Sequence, residues 1–352
     1  MNKSTDEPLL DIRDLTIEYE TERGTITAVS DVSFTVKKGE YFGLAGESGS
    51  GKSTVIKSIM GGLDSNGQVA SGEIYYKGEA VHEMSEKELN EKIRWNEISW
   101  IPQSSMNSLD PLKRVSQQAI DIAARNSDYS EDEALEQFKE MFELVGIQES
   151  RIHDYPHQFS GGMQQRAIIA LALFLDPEMV IADEPTTALD VLMQDQIFQY
   201  LIALREESDT SAIVVTHDIS IIFESCDSMA LMHAGQMAEI GTVEEVHQNP
   251  RHPYALLFQN AFPDIRYPNQ ELEIIDGHPP EMLGDTNFCS FVDRCPWATE
   301  ECRNEAPTDT TVKDDVKQPH RIRCFHGDTA YKEYQESREE TEQLEIETTE
   351  SN

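Results

Sequence analysis

Tyr41-Phe42-Gly43-Leu44-Ala45-Gly46-Glu47-Ser48-Gly49-Ser50-Gly51-Lys52-Ser53 passes from a short apolar run into glycines and ends on lysine and serine. The first five residues predict a buried strand, and Ser53 to Met60 predicts a helix. Between them, Gly46 to Ser53 fits G-x-x-x-x-G-K-[ST] in the strand, loop and helix setting that the pattern requires. Glycines let backbone N–H groups curl around a phosphate, Lys52 would reach the β and γ oxygens, and the Ser53 hydroxyl would ligate Mg²⁺.

Working outward, strand-like alternation marks Leu15 to Tyr19, Ser33 to Val36 and Glu73 to Tyr76, the last beyond a glycine-rich turn region, Gly61 to Gly72. Buried-strand runs follow at Met179 to Ala182, Ala212 to Val215 and Met229 to Met232. Helical patterning covers Ser85 to Glu97, residues 112–147 and Met163 to Leu173. Strands alternating with helices predict an α/β fold with a mainly parallel sheet covered on both faces, carrying a helical insertion at about residues 104–165. Periodicity breaks at Asn249-Pro250-Arg251-His252-Pro253, which sets a first domain over residues 1–250 and a cysteine-rich unit over 251–327. Residues 328–352 hold nine acids against two bases and are expected to be a disordered tail.

The chain of 352 residues carries 66 Asp and Glu against 28 Lys and Arg, a net charge of −38. A surface of that sign excludes nucleic acid and anionic headgroups as general partners. It reads as adaptation to a salt-rich cytoplasm, where screening relieves self-repulsion. The longest apolar run, Ala167 to Leu175, is nine residues, too short to span a bilayer, and the polar, acidic start shows no secretory pattern. A cytosolic location is expected, so the five cysteines read as ligands or buried thiols rather than disulfides.

Met179-Val180-Ile181-Ala182-Asp183-Glu184 is a second apolar strand, ending in two acids. Many strands end in a solvated Asp-Glu. After a phosphate-binding loop the pair reads as a nucleotide site, with Asp183 holding Mg²⁺ through water and Glu184 polarising the attacking water. Ser160-Gly161-Gly162-Met163-Gln164-Gln165-Arg166, 23 residues before Asp183, puts a hydroxyl and glycine amides at a helix start, where an anion is favoured.

Together these residues resemble the ATP-binding cassette (ABC) ATPases, with Ser160, Gly161 and Gly162 as that family's signature motif. The resemblance implies a P-loop fold: a RecA-like core, an antiparallel β subdomain and a helical subdomain. It implies ATP and Mg²⁺ as cofactors, with Gly46, Ser48, Gly49, Gly51, Lys52, Ser53 and Thr54 around the phosphates. Gln103 resembles the glutamine that senses Mg²⁺ and water, Asp190 in Ala188-Leu189-Asp190 resembles the D-loop acid, and His217 resembles the switch histidine. Tyr19, 27 residues before Gly46, resembles the aromatic that stacks on adenine. Since the family's signature binds ATP held by a partner's loop, a head-to-tail dimer is implied. Met163 departs from the usual signature glutamine, but Tyr155 to Met163 is similar to the first of the paired ATPases in oligopeptide and dipeptide importers. Glu184 and His217 are both present, so nothing marks the cassette as degenerate.

Cys289, Cys295, Cys302 and Cys324 are spaced C-x₅-C-x₆-C-x₂₁-C, unlike common zinc ribbons or the compact ferredoxin run. Spacing alone leaves zinc, an iron–sulfur cluster or unligated thiols open. The surrounding His278-Pro279-Pro280, Cys289-Ser290-Phe291 and Arg294-Cys295-Pro296 resemble the C-terminal region of the same importer ATPases. That resemblance implies a 4Fe-4S cluster, with Zn²⁺ as the alternative. Cys226 reads as a buried small hydrophobe.

The resemblance, over roughly residues 10–327, implies the ATPase of a peptide importer at the cytoplasmic face of the cell membrane. Its implied partners are two permease subunits, a sibling ATPase ahead of a homodimer, an extracellular solute-binding protein and no nucleic acid. Related importers handle nickel or sugars. The rival reading is a soluble ABC ATPase of DNA repair or translation, which usually carries two cassettes or a coiled-coil insertion that this sequence lacks.

Overall fold

The computed structural model describes residues 7–103, 108–185, 209–260, 275–280, 282–284, 287–313 and 318–337, together with residues 194, 197, 199 and 202. Two long strands open the chain, β1 (Leu10–Thr21) and β2 (Gly24–Val36), paired antiparallel. After β3 (Tyr41–Ala45) and helix α1 (Lys52–Ile59), β4 (Gly67–Tyr76) and β5 (Glu79–Ala80) complete a four-stranded antiparallel sheet in the order β2-β1-β4-β5.

The larger sheet takes β6 (Ile98–Ile101), β7 (Met179–Asp183), β8 (Ser211–Val215), β9 (Ser228–His233), β10 (Gln236–Thr242), β11 (Thr310–Lys313) and β12 (His320–Ile322). With β3 its order is β11-β12-β10-β9-β3-β8-β7-β6, parallel from β9 to β6 and antiparallel from β9 outward to β11. The parallel strands are buried on both faces, as such strands must be. Met179, Ile181, Ile213 and Val215 pack with Val55, Ile56 and Ile59 of α1 and with the antiparallel sheet. Val180, Ala182, Ala212 and Val214, one residue out of step, pack under the helical insertion.

That insertion consists of α2 (Val115–Asn126) and α3 (Glu131–Leu144), leading to α4 (Gly161–Leu173). A capping box at Ser130 and Glu133 starts α3. From Ala167 to Leu173 every residue of α4 is buried, so this helix runs into the core rather than along it. Beyond β8 come α5 (Ile219–Ser225), α6 (Val243–Gln248), α7 (Pro253–Asn260) and α8 (Glu300–Asn304).

Three segments depart from the sequence reading. The helix expected over Ser85–Glu97 is shorter, one α-helical turn at Glu86–Glu88 that runs into a π-helical stretch at Leu89–Ile93. Leu89 and Ile93 bury there, and Arg94 donates to the carbonyls of Met60 and Gly61, which bends the chain away. Residues 251–327, read as a separate cysteine-rich unit, share an apolar core with the first domain. Tyr254, Ala255, Phe258, Phe291 and Val292 cluster with Met229, Leu231 and Ala238, while β12 extends the main sheet through β10. The seam holds Glu239, fully buried, which accepts from the backbone N–H groups of Arg251 and His252 and lies 2.6 Å from His320 Nε2. The tail expected to be disordered from residue 328 is helical over residues 327–337. Ala330 and Tyr334 pack there on Leu256, and Arg251 lies 3.9 Å over the Tyr331 ring.

Candidate functional site

Strand β3 delivers the chain at Ala45 into a loop that only glycine can follow at two points. Gly46 has φ 144°, and a Cβ there would meet the Met232 carbonyl oxygen at 2.2 Å. Gly51 has φ 101°, and its Cβ would meet the Ala28 carbonyl oxygen at 2.6 Å. Helix α1 then starts with no side-chain cap and no acid in its first turn, which leaves its N–H groups and dipole available to an anion.

Lys52 is 6% exposed, and its Nζ donates to the carbonyls of Gly46 and Glu47, both at 2.8 Å, and to Ser50 Oγ at 3.3 Å. Burial lowers its pKa, against the carboxylates of Glu184, Asp183 and Glu47. The ammonium thus rests on loop carbonyls that a phosphate oxygen would replace as its partner.

At the end of β7, Asp183 is 3% exposed and its Oδ1 accepts from Ser53 Oγ at 3.4 Å. Burial raises the Asp183 pKa, while the Ser53 hydrogen bond acts the other way. A hard divalent cation at these two oxygens would remove that desolvation cost. Glu184 follows with φ 46°, its N–H donating to the Val215 carbonyl at 2.8 Å. Gln103 Nε2 donates to Glu184 Oε2 at 2.6 Å, and His217 Nδ1 lies 3.4 Å from Glu184 Oε1. Two side chains from two other strand ends therefore meet on the Glu184 carboxylate.

Other expected positions lie apart. Ser160 caps α4, accepting from the Met163 N–H at 3.3 Å, and Gly161 and Gly162 form the half-exposed tip of that helix. Ser48 and Gly49 are exposed, and Thr54 is half-buried in α1. Tyr19 sits in the antiparallel sheet with its ring edge over Gly67, whose Cβ would come within 2.6 Å of it. Asp190 lies outside the described residues. Sequence reasoning missed Gln165, a buried side chain of α4 whose Nε2 donates to the Pro185 carbonyl just after the acidic pair. Its place in the signature stretch was the available signal.

Cys289, Cys295, Cys302 and Cys324 line a single cavity with Phe291, Val292 and Trp297. Burial pushes the Cys295 and Cys324 thiols up to about 12. The expected metal set is not closed: among the described residues, no group of three or more His, Cys, Asp or Glu gathers around a common ion position. The sulfurs turn instead to local partners, with Cys324 Sγ accepting from the His326 N–H and Cys302 Sγ lying 3.5 Å from Thr299 Oγ1.

Phosphate loop, buried lysine and acidic pair define a P-loop nucleotide-binding domain. The ABC transporter family profile matches residues 29–187, and that of the oligopeptide/dipeptide transporter C-terminal region matches residues 238–302. The chain is 40% identical to the oligopeptide transport ATP-binding protein OppD of Haemophilus influenzae, over 84% of this chain and 92% of that one. It is also 40% identical to the dipeptide transport ATP-binding protein DppD of Lactococcus lactis, over 82% and 83%. Among solved structures, the post-hydrolysis dimer of the ATP-binding cassette MJ0796 with ADP and Pi matches at TM-score 0.60 and 30% identity, covering 66% of this chain and 98% of that one. The chain belongs to the ABC transporter ATPases, in the branch of oligopeptide and dipeptide transport ATP-binding proteins.

Replacing Gln165 with alanine leaves a buried carbonyl without its donor, at about 1–3 kcal/mol. The expected outcome is a lower urea midpoint and slower ATP turnover, because the turn that carries Glu184 loses its brace. Unchanged stability and turnover would deny Gln165 that role.

Proposed function

We propose that this chain is the ATP-hydrolysing subunit that energises an importer of peptides or related small solutes, acting at the cytoplasmic face of the cell membrane. The observation that carries the reading is the convergence of Gln103 and His217 on Glu184, beside Lys52, Ser53 and Asp183, in a chain with the peptide-transporter C-terminal region.

In this reading ATP enters against the α1 N–H groups, and Lys52 leaves the Gly46 and Glu47 carbonyls for its phosphates. Ser53 and Asp183 would hold Mg²⁺, which neutralises charge on the β and γ oxygens. Glu184 takes the proton of the attacking water, while Gln103 and His217 fix the direction in which its carboxylate points. The tip of α4, at Ser160, Gly161 and Gly162, supplies donors to a nucleotide held by a partner cassette. A sibling ATPase is the partner we favour over a second copy.

The surface beside Gln103 supports permease docking. A largely apolar groove of about 440 Å³ is lined by Trp95, Trp100, Leu109, Ile122, Ile168 and Leu171, between core and helical insertion. The Trp100 indole N–H in it has no partner among the described residues, and Leu112 nearby in sequence is 86% exposed. A short helix from a membrane subunit would fill it. Among the described residues no helix is long and apolar enough to cross a membrane.

We further propose that Cys289, Cys295, Cys302 and Cys324 hold an iron–sulfur cluster. Four soft sulfurs on one buried apolar cavity suit such a group by donor chemistry. It would cross-link loops that have few strands to fix them.

Glu184→Gln is expected to keep ATP binding, to slow hydrolysis by roughly a hundred- to ten-thousandfold and to accumulate a nucleotide-bound dimer. Unchanged turnover would remove Glu184 from the role of base. Tagged chain drawn from detergent-solubilised membranes is expected to bring two membrane subunits, a sibling ATPase and a solute-binding protein, with about four irons and four sulfides per chain. Recovery of DNA-repair or ribosomal components would sink transport, and zinc without sulfide would sink the cluster.

A further inference from the structure

Glu47 is an odd residue to find in a loop that must accept a polyphosphate, since its carboxylate has the sign of the ligand. The structure engages its backbone N–H, its carbonyl and its carboxylate elsewhere, the last by charge alone, since Oε1 accepts no hydrogen bond among the described residues. Its N–H donates to the Tyr254 hydroxyl at 3.1 Å, its carbonyl accepts from Lys52 at 2.8 Å, and its carboxylate pairs with Arg294 at 3.0 Å. Tyr254 and Arg294 both come from the C-terminal region, 207 and 247 residues away in sequence.

Arg294 is built in rather than resting on the surface. Its side chain is 6% exposed, and its Nε donates to the Asp276 carbonyl at 2.9 Å. One terminal nitrogen, Nη1, lies 3.1 Å from His233 Nε2, and Nη2 donates to the Ile275 carbonyl at 3.3 Å besides pairing with Glu47. His233 lies 3.1 Å from Ser290 Oγ through its other nitrogen, Nδ1. Facing a guanidinium with Nε2, the imidazole is an acceptor there and a donor to Ser290. Burial, and then the charge of Arg294, agree with that tautomer by lowering the His233 pKa to about 3. On the other side, Arg294 immediately precedes Cys295, and its N–H donates to Phe291, which lines the cysteine cavity.

We propose that Arg294 is a positioning residue through which the cysteine-bearing module neutralises Glu47 and holds the phosphate loop ready for ATP. This rests on the nucleotide-binding reading above. Without the guanidinium, the carboxylate stands unpaired at the mouth of an anion site, repelling the phosphates in a setting that water screens poorly. Because Arg294 shares a turn with Cys295, disorder at the cysteine cavity reaches the loop by the same contact.

The test is equilibrium binding of Mg²⁺·ATP to the full-length chain, with thermal melting of each variant to establish folding. Arg294→Gln is expected to raise the Kd for ATP roughly tenfold, through the repulsion of an uncompensated carboxylate beside the phosphates. Glu47→Gln is expected to stay within about threefold of wild type, and the double variant to bind as Glu47→Gln does, so that the defect vanishes with its cause. Arg294→Lys, which keeps the charge but loses the fork held by Asp276, Ile275 and His233, should fall between wild type and Arg294→Gln. Cys295→Ser should weaken ATP binding in the wild-type background and not in the Glu47→Gln background. Wild-type affinity in Arg294→Gln, or a defect that persists beside Glu47→Gln, would overturn the proposal. Should Arg294→Gln not fold, Cys295→Ser with and without Glu47→Gln decides by the same rule. A wild-type chain that binds no ATP would instead sink the nucleotide-binding reading itself.

Discussion

The chemistry of the site depends on one register. Val215 of β8 stands opposite both Leu44 of β3 and Asp183 of β7, so three parallel strands end at the same level. Beyond that level the chain turns into the phosphate loop from β3, into Glu184 from β7 and into His217 from β8. Gln103 arrives two residues past the end of β6, which pairs Ile101 with Ala182. A slip of one residue would turn each strand's side chains to the opposite face and separate Ser53 from Asp183. Burial on both faces makes that slip costly, because each strand has apolar side chains for both cores.

At that level the fold concentrates charge in poor solvent. Lys52 and Asp183 are both buried, and each shifts towards its neutral form through desolvation. A nucleotide with its metal supplies counter-charges to both groups together, so binding offsets the desolvation of each. The C-terminal region forms part of the same apparatus. It continues the sheet through β12, is sealed by Glu239 and His320, and touches the phosphate loop at Glu47.

How much of this the sequence reveals depends on whether the cause is local. Tyr41 to Ala45 reads as a strand with the bounds it has, because five buried residues run up to a glycine with positive φ. The acidic pair and His217 are legible for the same reason, each capping an apolar strand. Strand β10 hides because it carries Glu239 at a fully buried position, satisfied there by His320, 81 residues on, and by the Arg251 and His252 N–H groups. Strand β6 hides as well, four residues emerging from a charged stretch. The helix over 327–337 has only Ala330 and Tyr334 to commend it among acids, and its partner Leu256 lies far back in the chain. No local pattern could have joined Arg294 to Glu47, since an ion pair across the fold leaves no periodicity.

The central claim is that β3, its glycine loop and Lys52 form an ATP site in this chain. Titration of the full-length chain with ATP and Mg²⁺, beside the Lys52→Ala variant, tests it most directly. The account predicts saturable binding that weakens by roughly a hundredfold or more when the ammonium is removed. Equal affinity in the two proteins, or no saturable binding in either, would contradict it.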